Sequence, residues 1–369
     1  MKVAFDNQAF NWQSYGGISR YYAILAEELL KQRLDVSVFA GIHQNNYLSA
    51  LPNEVVSGIK LKKYPPKTSR LFQMFNHYAV NHQINRWQPD IIHETYYSSR
   101  LLPQKAVPRV ATVYDMIHEL YPKMFLARDK TSEWKRKTLD RVVHIISISH
   151  STKKDLIDLF DVEESKISVV HLGVDVNLSL SGYPNEHECD AQPPFLLYVG
   201  ERGAYKNFSG VLRAIANSQQ LRNDFNLIAF GGGYFKGDEL SLISNLGFKD
   251  NQVRQIDGGD DILASLYRQA CAFVYPSLYE GFGLPPLEAM ACSCPVISSN
   301  TSSMPEVIGE AGEYFNPIDI ETMTIAIEKV VYSSVRTEEL RALGQNRVKQ
   351  FSWGKCADET LEVYKKIIG

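Results

Sequence analysis

Short runs of apolar residues alternate along the chain with longer stretches in which apolar residues recur every three or four positions. The short runs predict buried strands, and the longer stretches predict amphipathic helices. The predicted strands are KVAFD, VSVFA, DIIHE, RVATVYD and HIISIS in the first half and FLLYVG, NLIAFGG, AFVYPS and PVISS in the second. Strands that alternate with helices form parallel sheets with helices on both faces. The pattern therefore predicts an α/β protein.

The alternation is interrupted at residues 169–194, which are polar, contain glycine and proline and have no clear period. We interpret the early part of this stretch as a linker, because 369 residues exceed the usual size of one domain. We expect a Rossmann-like domain at 1–175 and a similar domain at 176–350, facing each other across a cleft. Residues 351–369 predict a terminal amphipathic helix. Ligands of such sheets bind at the carboxyl ends of the strands.

Composition and charge exclude several classes of protein. The chain has 22% charged residues and a formal net charge of −3, so we expect no nucleic-acid partner. The N-terminus lacks a signal-peptide pattern, and no apolar run approaches the roughly 20 residues of a membrane helix. The five cysteines show no disulfide-scaffold spacing, which favours a reducing cytoplasm. Cys292 and Cys294 have no matching Cys or His pair nearby, and we interpret them as structural thiols.

The segment SLYEGFGLPPLEAM, residues 277–290, follows a predicted strand and leads into a predicted helix. Gly281 and Gly283 allow backbone N–H groups to approach a ligand closely, and the helix N-terminus favours negative charge. The segment is therefore suited to a phosphate. Glu288 suits paired hydroxyls such as those of a ribose, and Glu280 would face a second hydroxylated group. The alternative is a helix-stabilising acid at 288 and a solvated acid at 280.

The segment VGERGAYKNF, residues 199–208, has the same order of strand, glycine loop and helix. Arg202 and Lys206 lie in its loop, where a cation opposes the dipole of the following helix. A bound diphosphate would resolve that conflict, with arginine as a planar fork and lysine as a point charge. Two exposed surface cations are the alternative.

The first half of the chain carries two further candidate sites. Gly16 and Gly17 precede a helix and permit close approach of a ligand, but they lack the spacing of a nicotinamide site. The strand RVATVYD runs into Tyr114, Asp115 and His118. Histidine handles protons near neutral pH, and the aspartate can orient a substrate hydroxyl or an imidazole. The alternative for the histidine is a satisfied loop residue.

Two charged segments have simpler interpretations. The acidic DGGDD at 257–261 directly precedes a helix, where Asp260 or Asp261 is a good N-cap, so we expect no metal site there. The basic residues at the start of KLKKYPPKTSRLFQMF, 60–75, are followed by apolar and aromatic ones. Nucleic acid would require a wider positive field. Two interpretations stay open, namely peripheral attachment to an anionic membrane surface and a solvated loop with an exposed helix face.

Together these segments resemble glycosyltransferase family 4, whose members have the GT-B fold. The resemblance extends over nearly the whole chain and is strongest at 195–330. The run from Glu280 to Glu288 resembles the family's E-x7-E motif, VGERGAYKNF its diphosphate clamp and YGGISRYY its N-terminal glycine loop. SSMPEVIGEAGEYFNPID and FSWGKCADETLEVY are similar to further family segments. The resemblance implies that the first domain takes the acceptor, the second binds the donor, and the last helix returns to the first domain.

The resemblance also implies roles for single residues. Arg202 and Lys206 would hold the donor diphosphate. Glu288 would bind the ribose hydroxyls, and Glu280 would contact the donor sugar near the reacting carbon. Backbone amides that help to hold the sugar and the phosphates would be those of Gly281, Phe282, Gly283 and Leu284.

In the N-terminal domain, Gly16 and Gly17 would close over the phosphates. Many relatives carry a histidine where this chain has Tyr114 before Asp115. Either Tyr114 itself or His118 would then take the role of that histidine. The resemblance implies a retaining enzyme that needs no metal and no cofactor, in which a phosphate oxygen of the leaving group takes the proton of the acceptor hydroxyl.

We therefore expect a retaining hexosyltransferase of polysaccharide biosynthesis that uses a nucleotide-sugar donor. UDP-glucose and GDP-mannose are the first candidates, with a slight preference for UDP-glucose, and the acceptor is a glycan or a lipid-linked glycan. The expected location is the cytoplasm, with residues 60–75 as the candidate contact with the inner face of the cell membrane. The alternatives are a nucleotide-sugar-binding regulatory module and another GT-B enzyme, such as an epimerase or a phosphorylase.

Overall fold

The structure is a computed structural model that describes residues 1–11, 14–99, 107–175 and 193–369. It divides into two compact units, one formed by Met1–Gly173 with Trp353–Gly369 and the other by Val174–Ser352. Each unit contains one parallel β-sheet with helices packed against it. The linker was predicted in the early part of 169–194, of which residues 169–175 are described and residues from 176 onward, up to 192, lie outside the described residues.

The first unit has a seven-stranded parallel sheet with the order β3-β2-β1-β4-β5-β6-β7. Its strands are β1 Lys2–Phe5, β2 Asp35–His43, β3 Val56–Lys60, β4 Ile91–Glu94, β5 Arg109–Val113, β6 His144–Ser147 and β7 Ile167–Val169. Its helices are α1 Gln8–Asn11, α2 Gly17–Lys31, α3 Ser69–Trp87, α4 Ile117–Leu120, α5 Thr131–Arg141, α6 His150–Phe160 and the terminal helix Trp353–Ile368, which is α15 in chain order.

The second unit has a six-stranded parallel sheet with the order β10-β9-β8-β11-β12-β13. Its strands are β8 Phe195–Val199, β9 Asn226–Phe230, β10 Val253–Ile256, β11 Ala272–Tyr275, β12 Val296–Ser299 and β13 Gly312–Phe315. Its helices are α7 Phe208–Asn217, α8 Gln219–Asp224, α9 Gly237–Asn245, α10 Asp260–Gln269, α11 Leu284–Ala291, α12 Met304–Ile308, α13 Ile320–Val331 and α14 Ser334–Val348.

The central strands are the nine runs predicted from the sequence, and their burial explains why. Every residue of β5, β8, β11 and β12 is buried, because helices cover both faces of a parallel sheet. Helix α7 turns Phe208, Val211, Leu212 and Ile215 toward the core at spacings of three and four, which is the amphipathic pattern that predicted it.

The terminal helix α15 packs within the first unit. The hydroxyl of Tyr364 lies 2.6 Å from Nδ1 of the buried His93, and Gln32 Nε2 donates to Asp358 at 2.7 Å. Burial lowers the pKa of His93 to about 3, so this ring is neutral in the folded protein. The helix is therefore attached to the unit by a buried hydrogen bond between neutral groups and by an exposed one to a carboxylate.

Helix α3 was not predicted from the pattern of apolar residues. Its inner face carries Asn76 where an apolar residue would be expected, and this side chain is fully buried. Asn76 Oδ1 accepts from the N–H of Ile42 at 2.8 Å, and its Nδ2 donates to the carbonyl of the same residue at 2.9 Å. Gly41 makes room for this contact, since a Cβ there would lie 2.6 Å from Asn76 Oδ1.

A second difference concerns the start of α10. The predicted N-cap at Asp260 or Asp261 is wrong, because the N-cap is Gly259 and both acids lie in the first helical turn. That position still places their charge at the positive end of the helix dipole. Among the described residues, no helix combines the length and apolar character needed to cross a bilayer.

Candidate active site

The second sheet has its topological switch point between β8 and β11. From β8 the chain proceeds outward to β9 and β10, and from β11 it proceeds in the opposite direction to β12 and β13. The two loops that leave the carboxyl ends of these neighbouring strands therefore meet, and such crevices are where open α/β sheets bind ligands. These loops are the glycine segments singled out in the sequence.

Lys206 and Glu280 form an ion pair at this switch point. Lys206 Nζ donates to Glu280 Oε1 at 2.6 Å, and the side chains are only 17% and 13% exposed. A second link joins the loops, because the N–H of Leu278 donates to the carbonyl of Tyr205 at 2.7 Å. The phenol of Tyr275 lies beside the pair, where burial and then the Glu280 carboxylate raise its pKa well above the ordinary value. The structure thus brings together one cation and one anion from the two predicted motifs.

The loop that carries Glu280 is held by two serines that the sequence analysis missed. The N–H of Glu280 donates to Ser302 Oγ at 2.9 Å, and Ser303 Oγ donates to the carbonyls of Glu280 and Phe282 at 2.8 Å each. Gly283 has a φ of +110°, and a Cβ at this residue would lie 2.5 Å from Met304 Cε. Glycine is therefore required where the loop turns into α11, which begins at Leu284.

Glu288 lies on α11 on the side that faces α10. It lines a small pocket together with Asp260, Leu263 and Tyr267. Burial, followed by the nearby Glu288 carboxylate, raises the pKa of Tyr267 well above its ordinary value. The two predicted glutamates therefore lie in different surroundings, Glu280 against a lysine and Glu288 beside a buried phenol.

Arg202 has a set of partners that the sequence did not predict. Its side chain is 3% exposed, and its Nε donates to Glu239 Oε1 at 2.7 Å. Its terminal nitrogens donate to the carbonyls of Gly231 at 2.7 Å and Gly233 at 2.8 Å, with Tyr234 at 3.1 Å. In this structure Arg202 thus binds the loop after β9, while Lys206 binds Glu280.

The loop after β9 can bind a guanidinium because of its backbone conformation. Gly231, Gly232 and Gly233 all have positive φ values between 68° and 83°, which turn successive carbonyls toward one side. A Cβ on Gly232 would lie 2.7 Å from Arg202 Nη1. The run of three glycines was the signal for this contact in the sequence, although nothing in the run identified Arg202 as its partner.

In the first unit, Gly16 is the N-cap of α2 and has an extended backbone, and Gly17 is the first helical residue. The carbonyl of Gly16 accepts from Ser19 Oγ at 3.0 Å. A Cβ on Gly17 would have no described atom within 4 Å. Packing among the described residues therefore does not require glycine at position 17.

Asp115 and His118 occupy the segment after β5 without contacting each other. The Nζ of the buried Lys135 donates to the carbonyl of Asp115 at 2.7 Å and to Glu119 Oε2 at 2.7 Å. His118 stacks on Phe125 with ring centroids 3.9 Å apart, and burial lowers its pKa. It lines a pocket of about 500 Å³ with Phe125 and Asp129. Lys135 anchors this segment and was not predicted.

Tyr114 lies inside the first unit rather than at the mouth of a pocket. It is buried against Tyr21, with ring centroids 6.0 Å apart. Burial raises the pKa of Tyr114 well above its ordinary value, so the phenol is protonated at neutral pH. It is therefore suited to hydrogen bonding and not to acting as a base.

A polar pocket of about 350 Å³ lies at the switch point of the first sheet, between β1 and β4. The side chains that line it include Asp6, Gln8, Asn11, Gln73, His77, Asn81, Tyr97, Ser98 and Trp134. Burial, followed by the neighbouring Glu94, raises the pKa of Asp6, whose carboxylate accepts from Gln8 Nε2 at 2.7 Å. The Oδ1 of the buried Asn11 has no hydrogen-bond partner among the described residues. The sequence analysis missed this site, since its residues come from four distant segments.

Comparison with known proteins agrees with this arrangement. The family described as glycosyl transferases group 1 matches residues 183–350, and the one described as Glycosyltransferase Family 4 matches residues 15–178. O-antigen chain mannosyltransferase B of Escherichia coli is 30% identical over 279 residues, which cover 72% of each chain. O-antigen chain mannosyltransferase RfbU of Salmonella typhimurium is 26% identical over 303 residues, covering 80% of this chain and 82% of that one.

Among solved structures, the sucrose-phosphate synthase of Thermosynechococcus elongatus has a TM-score of 0.77 at 20% identity and covers 100% of this chain and 99% of its own. At this identity the likeness concerns the fold alone. Two α/β units, each with one parallel sheet, are the architecture of GT-B transferases, and the predicted fold class is confirmed. The chain belongs to glycosyltransferase family 4. It is a glycosyltransferase, as predicted.

Proposed function

We propose that the protein transfers a hexose from a nucleoside-diphosphate sugar to an acceptor hydroxyl, with retention of configuration and without a metal ion. The observation that carries this proposal is the Lys206–Glu280 pair at the switch point of the second sheet. A lysine suits the diphosphate, and a carboxylate 2.6 Å away suits the hydroxyls of the sugar attached to it. The proposed product is part of a polysaccharide.

Charge development explains why this chemistry suits the site. When the bond between the anomeric carbon and the phosphate oxygen breaks, negative charge accumulates on the departing nucleoside diphosphate. Lys206 is placed to stabilise that charge, and the first turn of α11 adds the positive end of a helix dipole. The acceptor oxygen forms the new bond on the same face, and a phosphate oxygen of the leaving group receives its proton. No protein base and no metal is needed in this scheme.

Arg202 completes the proposed clamp by exchanging partners. A phosphate oxygen replaces one of the carbonyls of the loop after β9, while Nε remains on Glu239 at 2.7 Å. A guanidinium can make this exchange because its donors form a planar fork that fits both carbonyl and phosphate oxygens. Glu288 receives the ribose hydroxyls, and the backbone of 281–284 contacts the sugar and phosphates.

The names of the two relatives favour mannose as the transferred sugar, because both are O-antigen mannosyltransferases. We therefore propose GDP-mannose as the first donor to test and UDP-glucose as the second, which reverses the order preferred from the sequence. This order of donors rests on the names of the relatives.

The acceptor is proposed to occupy the polar pocket of the first unit. Its amides, its aromatic rings and the unpartnered Oδ1 of Asn11 suit a sugar, which presents hydroxyl donors along its edge and apolar C–H groups on its faces. Asp115 and His118 remain predicted catalytic residues, with His118 lining a different pocket of the first unit. Asn11→Ala should slow transfer through a raised acceptor KM, whereas Asn346→Ala, an exposed asparagine of the second unit, should not. Equal rates for both variants would remove the pocket from the proposal.

The cytoplasmic location and the attachment of residues 60–75 to an anionic membrane surface stay predictions.

The first experiment is thermal denaturation of the protein with UDP, GDP, ADP or dTDP, with magnesium or with EDTA. A nucleotide at about 100 times its Kd stabilises the folded state by about 2.7 kcal/mol, which raises the melting temperature by roughly 5 to 10 °C. A shift with one base, equal in magnesium and EDTA, would agree with the proposal. Transfer from labelled GDP-mannose and UDP-glucose then identifies the donor, and NMR of the product tests retention. A requirement for magnesium would contradict the metal-free scheme.

A further inference from the structure

Helix α3 carries a row of apolar side chains that face solvent. Leu71 is 60% exposed, Met74 50%, Phe75 56% and Tyr78 70%. Their spacings of three, four and seven place them on a single stripe along the first half of the helix. We call these four residues the α3 stripe.

The fold does not need the α3 stripe. The helix is attached to its sheet by the other face, where Asn76, Val80 and Ile84 are buried. A water-soluble helix normally presents polar side chains on the side that faces away from the core. Contiguous exposed apolar residues on a helix mark a surface that contacts a partner.

The segment that contains the α3 stripe is positively charged. Between Val55 and Pro89 the sequence has six lysines and arginines and no aspartate or glutamate, although the whole chain has a formal net charge of −3. The cations that precede the stripe, all exposed, are Lys60, Lys62, Lys63, Lys67 and Arg70. A partner that binds this surface must therefore combine an anionic layer with an apolar one.

We propose that the α3 stripe and these five cations form a docking surface for an anionic lipid bilayer. Leucine, methionine and phenylalanine side chains enter the boundary between headgroups and acyl chains, and lysines contact lipid phosphates. Tyr78, with an apolar ring and a polar hydroxyl, suits the headgroup level. A second copy of this chain is a poor occupant, because a two-fold contact would place the same cations against one another.

The position of the stripe also bears on the acceptor. Gln73 and His77 lie on the adjoining side of α3 and line the polar pocket of the first unit. With the stripe on a bilayer, that pocket lies next to lipid headgroups. This inference about the pocket rests on its proposed acceptor role, and it favours a lipid-linked glycan over a free glycan as the acceptor.

Vesicle sedimentation tests the docking surface without any nucleotide sugar. Wild-type protein should sediment with phosphatidylcholine vesicles that contain phosphatidylglycerol and remain in solution with phosphatidylcholine alone. Leu71→Ser/Phe75→Ser should weaken binding by roughly 100-fold, since each side chain loses its apolar burial. Ile318→Ser/Val335→Ser is the matched control, because these residues of the second unit are 80% and 79% exposed and the variant should bind like wild type.

The cations make a separate contribution. Lys62→Gln/Lys63→Gln/Lys67→Gln should weaken binding by roughly 100-fold, at about five-fold for each charge near an anionic surface. Salt at about 1 M should release the wild type, since the screening length falls to about 3 Å.

Three results would overturn the proposal. Wild-type protein could fail to bind the anionic vesicles, the stripe variant could bind as well as its control, or gel filtration could show a wild-type dimer that the stripe variant abolishes without any vesicle binding. A variant that keeps a cooperative melting transition is folded, and loss of that transition would show that the variant has failed to fold. Asn11→Ala should bind vesicles normally, so a failure of the acceptor proposal is distinguishable from a failure of the docking surface.

Discussion

Replacing Lys206 with alanine removes the cation from the Lys206–Glu280 pair. The pair is mostly buried, with a 2.6 Å contact and exposures of 17% and 13%. Removing one partner of a fully buried pair costs about 3–5 kcal/mol, whereas fully exposed pairs contribute about 0–1 kcal/mol. For this intermediate case we expect the free energy of unfolding to fall by about 1–3 kcal/mol. The second unit should remain folded.

The expected loss of activity is larger than the loss of stability. A hydrogen bond to a charged phosphate contributes about 1.5–3 kcal/mol, so donor KM should rise roughly 10- to 150-fold. A lysine that also stabilises the charge of the leaving nucleoside diphosphate should reduce kcat by roughly 100-fold or more when removed. The two effects together make Lys206→Ala a nearly inactive enzyme with an intact fold.

The control is Lys329→Ala, which breaks an ion pair of the same length elsewhere in the second unit. Lys329 Nζ donates to Glu313 Oε1 at 2.7 Å, but the lysine is 56% exposed and belongs to α13. Both variants should be compared in urea denaturation and in a nucleotide-release assay with saturating and limiting donor. A transfer rate for Lys206→Ala equal to that of Lys329→Ala would refute the assignment of Lys206 to the diphosphate.

Three further predictions concern other parts of the molecule. Glu288→Ala should raise donor KM about ten-fold or more for the ribose donor and less for its 2′-deoxy analogue, and equal losses would contradict the ribose contact. Gly283→Ala should lower the free energy of unfolding in urea by about 1–3 kcal/mol and slow transfer, because φ is +110° and the new Cβ meets Met304. Gly203→Ala is the control and should be tolerated, because its Cβ would have nothing within 4 Å. Burial lowers the pKa of His93 to about 3 in the folded protein. As the pH falls below about 6.5, the unfolded chain therefore takes up a proton at this residue that the folded chain does not. The free energy of unfolding should fall by up to about 1.4 kcal/mol per pH unit in that range. The variant His93→Gln should show a shallower fall between pH 7 and pH 5.

The central strands could be predicted because parallel strands covered on both faces are almost wholly apolar. Two strands at the edges of the sheets are less apolar. β3 and β10, at the edges of the two sheets, contain no fully buried residue and include charged ones, so their pattern resembles a loop. Helix α3 was missed for a related reason, since its inner face hydrogen-bonds through Asn76 and its outer face is apolar. Both faces of that helix mix polar and apolar residues, since Val80 and Ile84 are buried beside Asn76 and polar residues are exposed beside the apolar ones.

The candidate donor site could be predicted in part. The motifs predicted Lys206 and Glu280 as binding residues, but not their ion pair, which depends on β8 and β11 being neighbours in the sheet. Arg202 was predicted as part of a diphosphate clamp, with an exposed surface cation as the alternative. The fold places its side chain against the carbonyls after β9, and only the sheet order brings that loop alongside. The pocket near Asn11 depends on residues from four distant segments, and no local pattern indicates such a site.

The two switch points carry different chemistry on the same topology. After β8 and β11 the loops supply charged groups, including Arg202, Lys206 and Glu280, and after β1 and β4 they supply mainly amides, hydroxyls and aromatic rings. A group that departs with negative charge requires cations, whereas a neutral hydroxyl that attacks requires orientation by hydrogen bonds. The buried Glu94, paired with Arg109 at 3.2 Å, shows that the first unit also contains charge but satisfies it internally. The division of charge between the two sheets therefore follows the division between leaving group and acceptor that the proposed transfer requires.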